Sequence, residues 1–355
     1  MKNNYFITII TLFVSFLSYA QFEPSEAPVA IVEIQEYEPP CVPADCVTLN
    51  AEYFKIKPTN TYEVKPLTYQ PLFSLTGGTV LPITSQDDVW SSIFNLPFKF
   101  CFYGQIYDKV IMGSNGVISF DVSSAGGGCP WSYSASIPST GFPVKNAIFG
   151  VYQDTNMSTP SPLQNPAIQN INYYAGGTAP NRYFVANFNR LPQFSCGGTL
   201  GDPDQSPSDT DVLLSTTQIV IYETTNIIDV IVYKRIPCNG WNGGRGVIGL
   251  INPTGTAGLA PPARNTGNWS VLGTAASPSE AWRFFPASAD PTPPLVLVEW
   301  FDEAGNFLGN GTNSNLPNTQ LGSGNSIEVC PLVSQTYKVK LTYDRCGQTD
   351  TVVVE

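Results

Sequence analysis

Gln218-Ile-Val-Ile-Tyr-Glu-Thr-Thr-Asn-Ile-Ile-Asp-Val-Ile-Val-Tyr233 decides the fold. Two runs of β-branched and aromatic residues, 218–223 and 227–233, flank Thr224-Thr225-Asn226, a connection short enough for a hairpin. The second run is apolar at nearly every position. It has lost the alternation of a half-wetted strand and reads as a central strand covered on both faces. Outward from it, residues 61–64, 98–103, 109–112, 117–120, 147–152, 183–188 and 246–251 repeat the β pattern between turns. No helical period extends over a dozen residues. The prediction is an all-β chain whose main body, residues 49–287, is a sandwich or distorted barrel.

The flanks read differently. Lys2, the apolar run 6–17 and Ser18-Tyr19-Ala20 have the form of a secretory signal peptide, which assigns residues 1–20 to a leader cleaved before Gln21. No later stretch is long and apolar enough for a membrane span, so the chain is expected not to be membrane-spanning. Residues 21–48 are rich in Pro and Glu and read as an extended arm. Residues 288–294 (SADPTPP) form a stiff Pro-rich linker. Beyond it, residues 295–355 carry short strands at 296–301, 326–330, 336–343 and 349–354, the pattern of a small immunoglobulin-like sandwich. The chain stops on what reads as that module's final strand, which suggests truncation from a longer polypeptide.

Composition narrows the function. The formal net charge is −11, and losing Lys2 with the leader takes it to −12. A surface this acidic repels nucleic acid and anionic lipid, so no nucleic-acid partner is expected, while divalent cations are attracted. The chain has no histidine. That removes His-based zinc sites, Ser-His-Asp and Cys-His catalysis, and histidine as a general base. Motifs for a nucleophile elbow, a phosphate loop or HExxH are also missing, and the reading is not an enzyme.

Eight cysteines, Cys41, Cys46, Cys101, Cys129, Cys196, Cys238, Cys330 and Cys346, follow the leader. An even count in an exported chain points to disulfides, although eight cysteines allow about a hundred pairings. Chain proximity favours Cys41–Cys46 and Cys330–Cys346, and then Cys196–Cys238 with Cys101–Cys129.

Leu96-Pro-Phe-Lys-Phe-Cys-Phe-Tyr-Gly104 followed by Gly113-Ser-Asn-Gly-Val-Ile-Ser-Phe120 resembles the opening of nidogen-like extracellular domains. Ala147-Ile-Phe-Gly-Val-Tyr-Gln-Asp154, Ala179-Pro-Asn-Arg182, Tyr222-Glu-Thr-Thr-Asn-Ile-Ile-Asp229, Cys238-Asn-Gly-Trp-Asn-Gly-Gly244 and Glu280-Ala-Trp-Arg-Phe-Phe285 continue the match in order. The whole resembles the N-terminal region of large Bacteroidota surface proteins exported through type IX secretion and associated with gliding motility and adhesion. Val329-Cys-Pro, Thr336-Tyr and Asp344-Arg-Cys-Gly347 are similar to the immunoglobulin-like repeats that follow there. The resemblance implies a nidogen-like β-sandwich followed by a small immunoglobulin-like one, at the distal tip of a long adhesin. Its partners would be an extracellular glycan or surface protein and the type IX secretion machinery. Family members usually end in a sorting domain, and none is present in this sequence. A spacer without its own ligand, or a secreted polysaccharide hydrolase, are the alternatives.

Candidate sites are few. Asp202, Asp204, Asp209 and Asp211 fall in ten residues without a compensating base, as oxygen ligands for calcium or as a solvated loop. Asp154, ending an apolar strand, is the second metal candidate, and Asp87-Asp88 reads as a polar turn before Trp90. Trp131, Tyr133, Tyr173 and Trp241 are the aromatics placed to meet a glycan or protein, against the competing reading that they pack onto the sandwich. Gly113-Ser-Asn-Gly116 reads as a hairpin turn. Trp282 and Phe284 should face the core, with Arg283 pointing the other way.

Overall fold

The computed structural model describes residues 46–54, 56–69, 73–158, 169–195, 214–290, 295–310, 321–333 and 335–354. The deciding stretch forms its hairpin: Leu214–Tyr222 and Ile228–Lys234 pair antiparallel. They lie in the middle of a seven-stranded sheet. Its spatial order is Tyr62–Leu67, Glu280–Pro286, Ile228–Lys234, Leu214–Tyr222, Tyr183–Pro192, Ile171–Gly176 and Thr79–Val80. A second antiparallel sheet packs on it, in the order Gly258–Leu259, Arg245–Ile251, Ala147–Tyr152, Val117–Ser119, Gln105–Gly113 and Phe94–Phe102, with Asn265–Asn268 also paired to Arg245–Ile251.

The apolar runs follow from layering. Ile219 and Ile221 face the second sheet beside Phe100, Phe102, Ile118, Ile148 and Phe284, filling the main core. Their neighbours Val220 and Tyr222 point the opposite way, into a second core with Phe285, Val298, Trp300, Leu341 and Tyr343. Both faces of the first sheet are therefore dry, and period-two alternation gives no polar positions there. The second sheet is covered likewise. Ile111, Val117, Phe149 and Tyr152 on its outer face are buried under Tyr133, Ile137 and Phe142 from the long connection after Cys129.

The layer covering the first sheet comes from the C-terminal residues. Phe307–Asn310, Val296–Asp302, Tyr337–Arg345 and Gln348–Val354 form a four-stranded sheet in that order. Opposite it, Val47–Phe54, which straddles the expected boundary at residue 48, pairs antiparallel with Leu321–Val329. Ala51 and Tyr53 of this ribbon share the second core with the C-terminal sheet. Arg283 points away from Phe284, as strand alternation requires. It does not meet water there, because the C-terminal layer lies over it and the side chain is 0% exposed. Asp229, its cross-strand partner, receives Arg283 Nε and Nη2 at 2.7 Å each.

The cysteine pairing expected from chain proximity is corrected in three places. Cys46 bonds to Cys330, not to Cys41, because the ribbon pairs Val47 with Val329 and so sets the next residue on each strand side by side. Cys101 bonds to Cys346, 245 residues away, and neither pairs with its near neighbour in sequence. Cys101 lies one residue before the end of Phe94–Phe102 in the second sheet, where the 223–227 turn and the Cys346-Gly347 turn converge. Asn226 Oδ1 accepts from Cys101 N at 2.9 Å, Arg345 Nη1 donates to Lys99 O at 3.1 Å, and Lys99 Nζ donates to Gln348 Oε1 at 2.8 Å. Cys129 is a buried free thiol whose pKa burial pushes up to about 12, so it stays protonated and unreactive. Cys238 is disulfide-bonded. Cys41 and Cys196 lie outside the described residues, and so does the expected Cys196–Cys238 bond.

Candidate functional site

At one end of the sandwich the segment before Trp90, the 113–117 turn and the end of Ala147–Tyr152 meet. Gly116 makes this approach possible: its φ is +81°, and a Cβ there would stand 2.2 Å from the Val151 carbonyl oxygen. Asn115 is thereby buried and joins the three segments. Its Nδ2 donates to Asp88 Oδ1 at 2.8 Å, and its Oδ1 accepts from the backbone N–H of Thr155 at 2.9 Å. Ser114 Oγ accepts from Val89 N at 3.0 Å and fixes the Asp87-Asp88 segment.

This arrangement gathers three acids. Carboxylate oxygens of Asp87, Asp88 and Asp154 all lie within 4.8 Å of one another. Asp154 is buried, and its Oδ2 accepts from Trp241 Nε1 at 2.6 Å. Asp154 Oδ1 and Asp87 Oδ1 are sealed from solvent with no hydrogen-bond donor among the described residues. Burial, reinforced by repulsion within the cluster, pushes Asp87 and Asp154 up to about 6, and burial raises Asp88. None of the three forms an ion pair with a described Lys or Arg. Three carboxylates so close carry a repulsion that either a proton or a cation relieves.

Beside the acids stand two indoles. Trp131 and Trp241 have ring centroids 5.7 Å apart, and Phe194 packs on Trp241 at 4.7 Å; all three are half-buried. The Trp241 turn is held from beneath. Buried Arg235 donates Nη2 to Gly244 O at 2.7 Å and Nε to Gln153 Oε1 at 3.0 Å, while Gln193 Oε1 accepts from Cys238 N at 2.8 Å.

Of the aromatics proposed from sequence, the structure joins Trp131 and Trp241 and separates the others. Tyr133 is corrected to a core residue: it is buried, and its hydroxyl donates to Tyr152 O at 3.0 Å. Tyr173 stacks on Phe94 at 4.5 Å and on Phe184 in the main core, so its ring is engaged in packing. Asp202, Asp204, Asp209 and Asp211 lie outside the described residues. Asp154 is joined by Asp87 and Asp88, which the sequence presents as a turn only. Asn115 and Phe194 carried no signal of this role: a Ser-Asn-Gly turn has the same composition whether its Asn faces solvent or reaches inward.

Together these features define a disulfide-linked, antiparallel β-sandwich protein with an acidic and aromatic site at one loop end. The chain belongs to the NIDO-related family, whose model, described as NIDO related, matches residues 61–286, more than half of its length. The match takes in every nidogen-like segment quoted from the sequence, from Leu96 to Phe285. No curated protein and no solved structure matches the chain. No helix among the described residues is long and apolar enough to cross a membrane.

Proposed function

We propose that this chain is a non-enzymatic extracellular adhesive segment, the N-terminal part of a Bacteroidota surface protein exported by type IX secretion for attachment or gliding. In this reading residues 49–287 bind an extracellular glycan or surface protein, and residues 295–355 begin a stalk. The observation that carries it is the routing of the two long-range cross-links. Cys101–Cys346 ties the family domain to the C-terminal sheet, and Cys46–Cys330 closes the ribbon that shares a core with that sheet. Such bonds persist in an oxidising compartment. Force entering the family domain leaves it covalently at Cys101, through Cys346, eight residues before the end of the last strand at Val354. Force entering ahead of Cys46 crosses straight to Cys330 and bypasses the domain.

The half-buried Trp131–Trp241 pair is the contact surface in this reading, since indole faces suit sugar rings and apolar protein anchors alike. Replacing both with alanine on the cell-borne protein is expected to reduce attachment severalfold while surface display, measured by antibody, stays normal. Unchanged attachment at normal display contradicts an adhesive role for this surface and favours the spacer function.

A further inference from the structure

We propose that Asp87, Asp88 and Asp154 form a binding site for a divalent cation of the calcium class, independent of the aspartates at 202–211. Clustered acids alone are common on protein surfaces, and the case rests on what accompanies them. Asp154 is 7% exposed, yet its Oδ1 is sealed off without a donor, as is Asp87 Oδ1. A buried carboxylate oxygen without a hydrogen bond carries the full cost of desolvation, which a bound cation offsets. The remaining oxygens are positioned by neutral donors. Asn115 holds Asp88 Oδ1, Trp241 holds Asp154 Oδ2, and Asn115 also ties the backbone beside Asp154. This is how the outer groups of a metal site orient its ligands.

The donor set selects the cation. Carboxylate oxygens with no imidazole or thiolate among them favour a hard ion, and flexible coordination from two loop acids and one strand-end acid suits calcium better than the strict octahedron of magnesium. Cys129 is near, since its carbonyl accepts from Asn115 Nδ2 at 3.3 Å, but its buried, protonated thiol is no ligand. A cation here ties the 87–88 segment to the end of Ala147–Tyr152 and, through Asp154, steadies the indole of Trp241. Neither the fold nor the adhesive reading requires the site.

Terbium tests it directly, because its emission is sensitised only by a nearby aromatic donor and Trp241 already touches one carboxylate. The purified, oxidised chain is expected to give indole-sensitised terbium emission that calcium displaces, with calcium affinity in the range of about 0.1–1 mM usual for extracellular modules. Asp154→Asn keeps an acceptor for Trp241, and Asp87→Asn alters a loop residue only. Each is expected to weaken calcium binding roughly tenfold or more in calorimetry. Trp241→Phe is expected to lose most of the emission and, because it removes the donor that holds Asp154 Oδ2, to weaken calcium binding roughly tenfold as well. Replacing Asp202, Asp204, Asp209 and Asp211 together with asparagine should change neither signal. Absence of binding by the native chain overturns the proposal. So does binding that survives Asp87→Asn and Asp154→Asn, or that disappears with the four-asparagine variant. If Asp154→Asn does not fold, Asp87→Asn decides.

Discussion

Asp229→Ala destabilises the protein by about 3–5 kcal/mol, the largest loss expected from any single polar substitution in it. Asp229 and Arg283 stand directly opposite on adjacent strands and meet through two 2.7 Å bonds, with the Tyr222 hydroxyl donating to Asp229 Oδ2 at 2.9 Å. The guanidinium also faces the Tyr222 ring at 5.8 Å. Neither charge reaches solvent, because the C-terminal layer closes over the sheet at this point. Mutual attraction barely exceeds the cost of dehydrating both groups, so the intact pair adds little net stability. Removing only one partner leaves the other charge dry and uncompensated. The double change Asp229→Leu with Arg283→Met should therefore recover most of the loss. Urea midpoints at constant slope measure all three variants. A cost below about 1 kcal/mol for Asp229→Ala would mean water reaches Arg283, and the C-terminal layer would not lie where it is described.

Removing the Cys101–Cys346 bond with paired serines costs about 2–4 kcal/mol and lowers the midpoint of unfolding. The two cysteines are 245 residues apart, but the Cys46–Cys330 bond already shortens the route between them. The remaining path runs from residue 46 to 101 and from 330 to 346, about 70 residues, which still places the bond among the long-loop cross-links. The apolar core shared by the two sheets remains, and around the cross-link itself the contacts are polar and partly solvated. They comprise the Arg345–Asp350 ion pair, the Arg345 bond to Lys99 O and the 3.3 Å contact of Thr224 Oγ1 with Asp350 Oδ2. Contacts of this kind contribute about 1 kcal/mol or less each. Trp300, buried in the C-terminal sheet, reports its unfolding by fluorescence. A single transition unchanged in midpoint would show that the cross-link is not formed or constrains nothing.

The sequence was legible where one physical cause dominates. The run from Ile227 to Tyr233 is apolar because both faces of its strand are covered, and that condition can be read from the residues themselves. It does not say what provides the cover. The outer face of the first sheet meets the C-terminal layer, a partnership that the pattern within one strand does not record. The cysteines failed for the same reason: proximity in sequence ranks pairs by loop entropy, whereas antiparallel pairing of Val47 with Val329 delivers Cys46 to Cys330. Arg283 shows a smaller version. Alternation gives its direction correctly, while its partner and its burial depend on layers assembled later in the chain.

The candidate site was half legible. Asp154 stands out at the end of an apolar strand, and Trp131 and Trp241 stand out as aromatics near Gly-rich turns. Asp87 and Asp88 did not, because two acids before a strand are the ordinary composition of a turn. Only the inward-facing Asn115, made possible by Gly116 against Val151, brings the three segments together.

The central claim is that the cross-links let load pass around the family domain, and single-molecule extension between handles placed just before Cys46 and just after Val354 tests it most directly. With both bonds intact, only residues 330–354 can extend, so the account predicts a total release of about 80–90 Å at about 3.5 Å per residue. After reduction the same pull should release about 1,000 Å as the whole span from 46 to 354 unravels. Release of the full length from the oxidised protein would contradict the account, because the family domain would then lie in the path of the force.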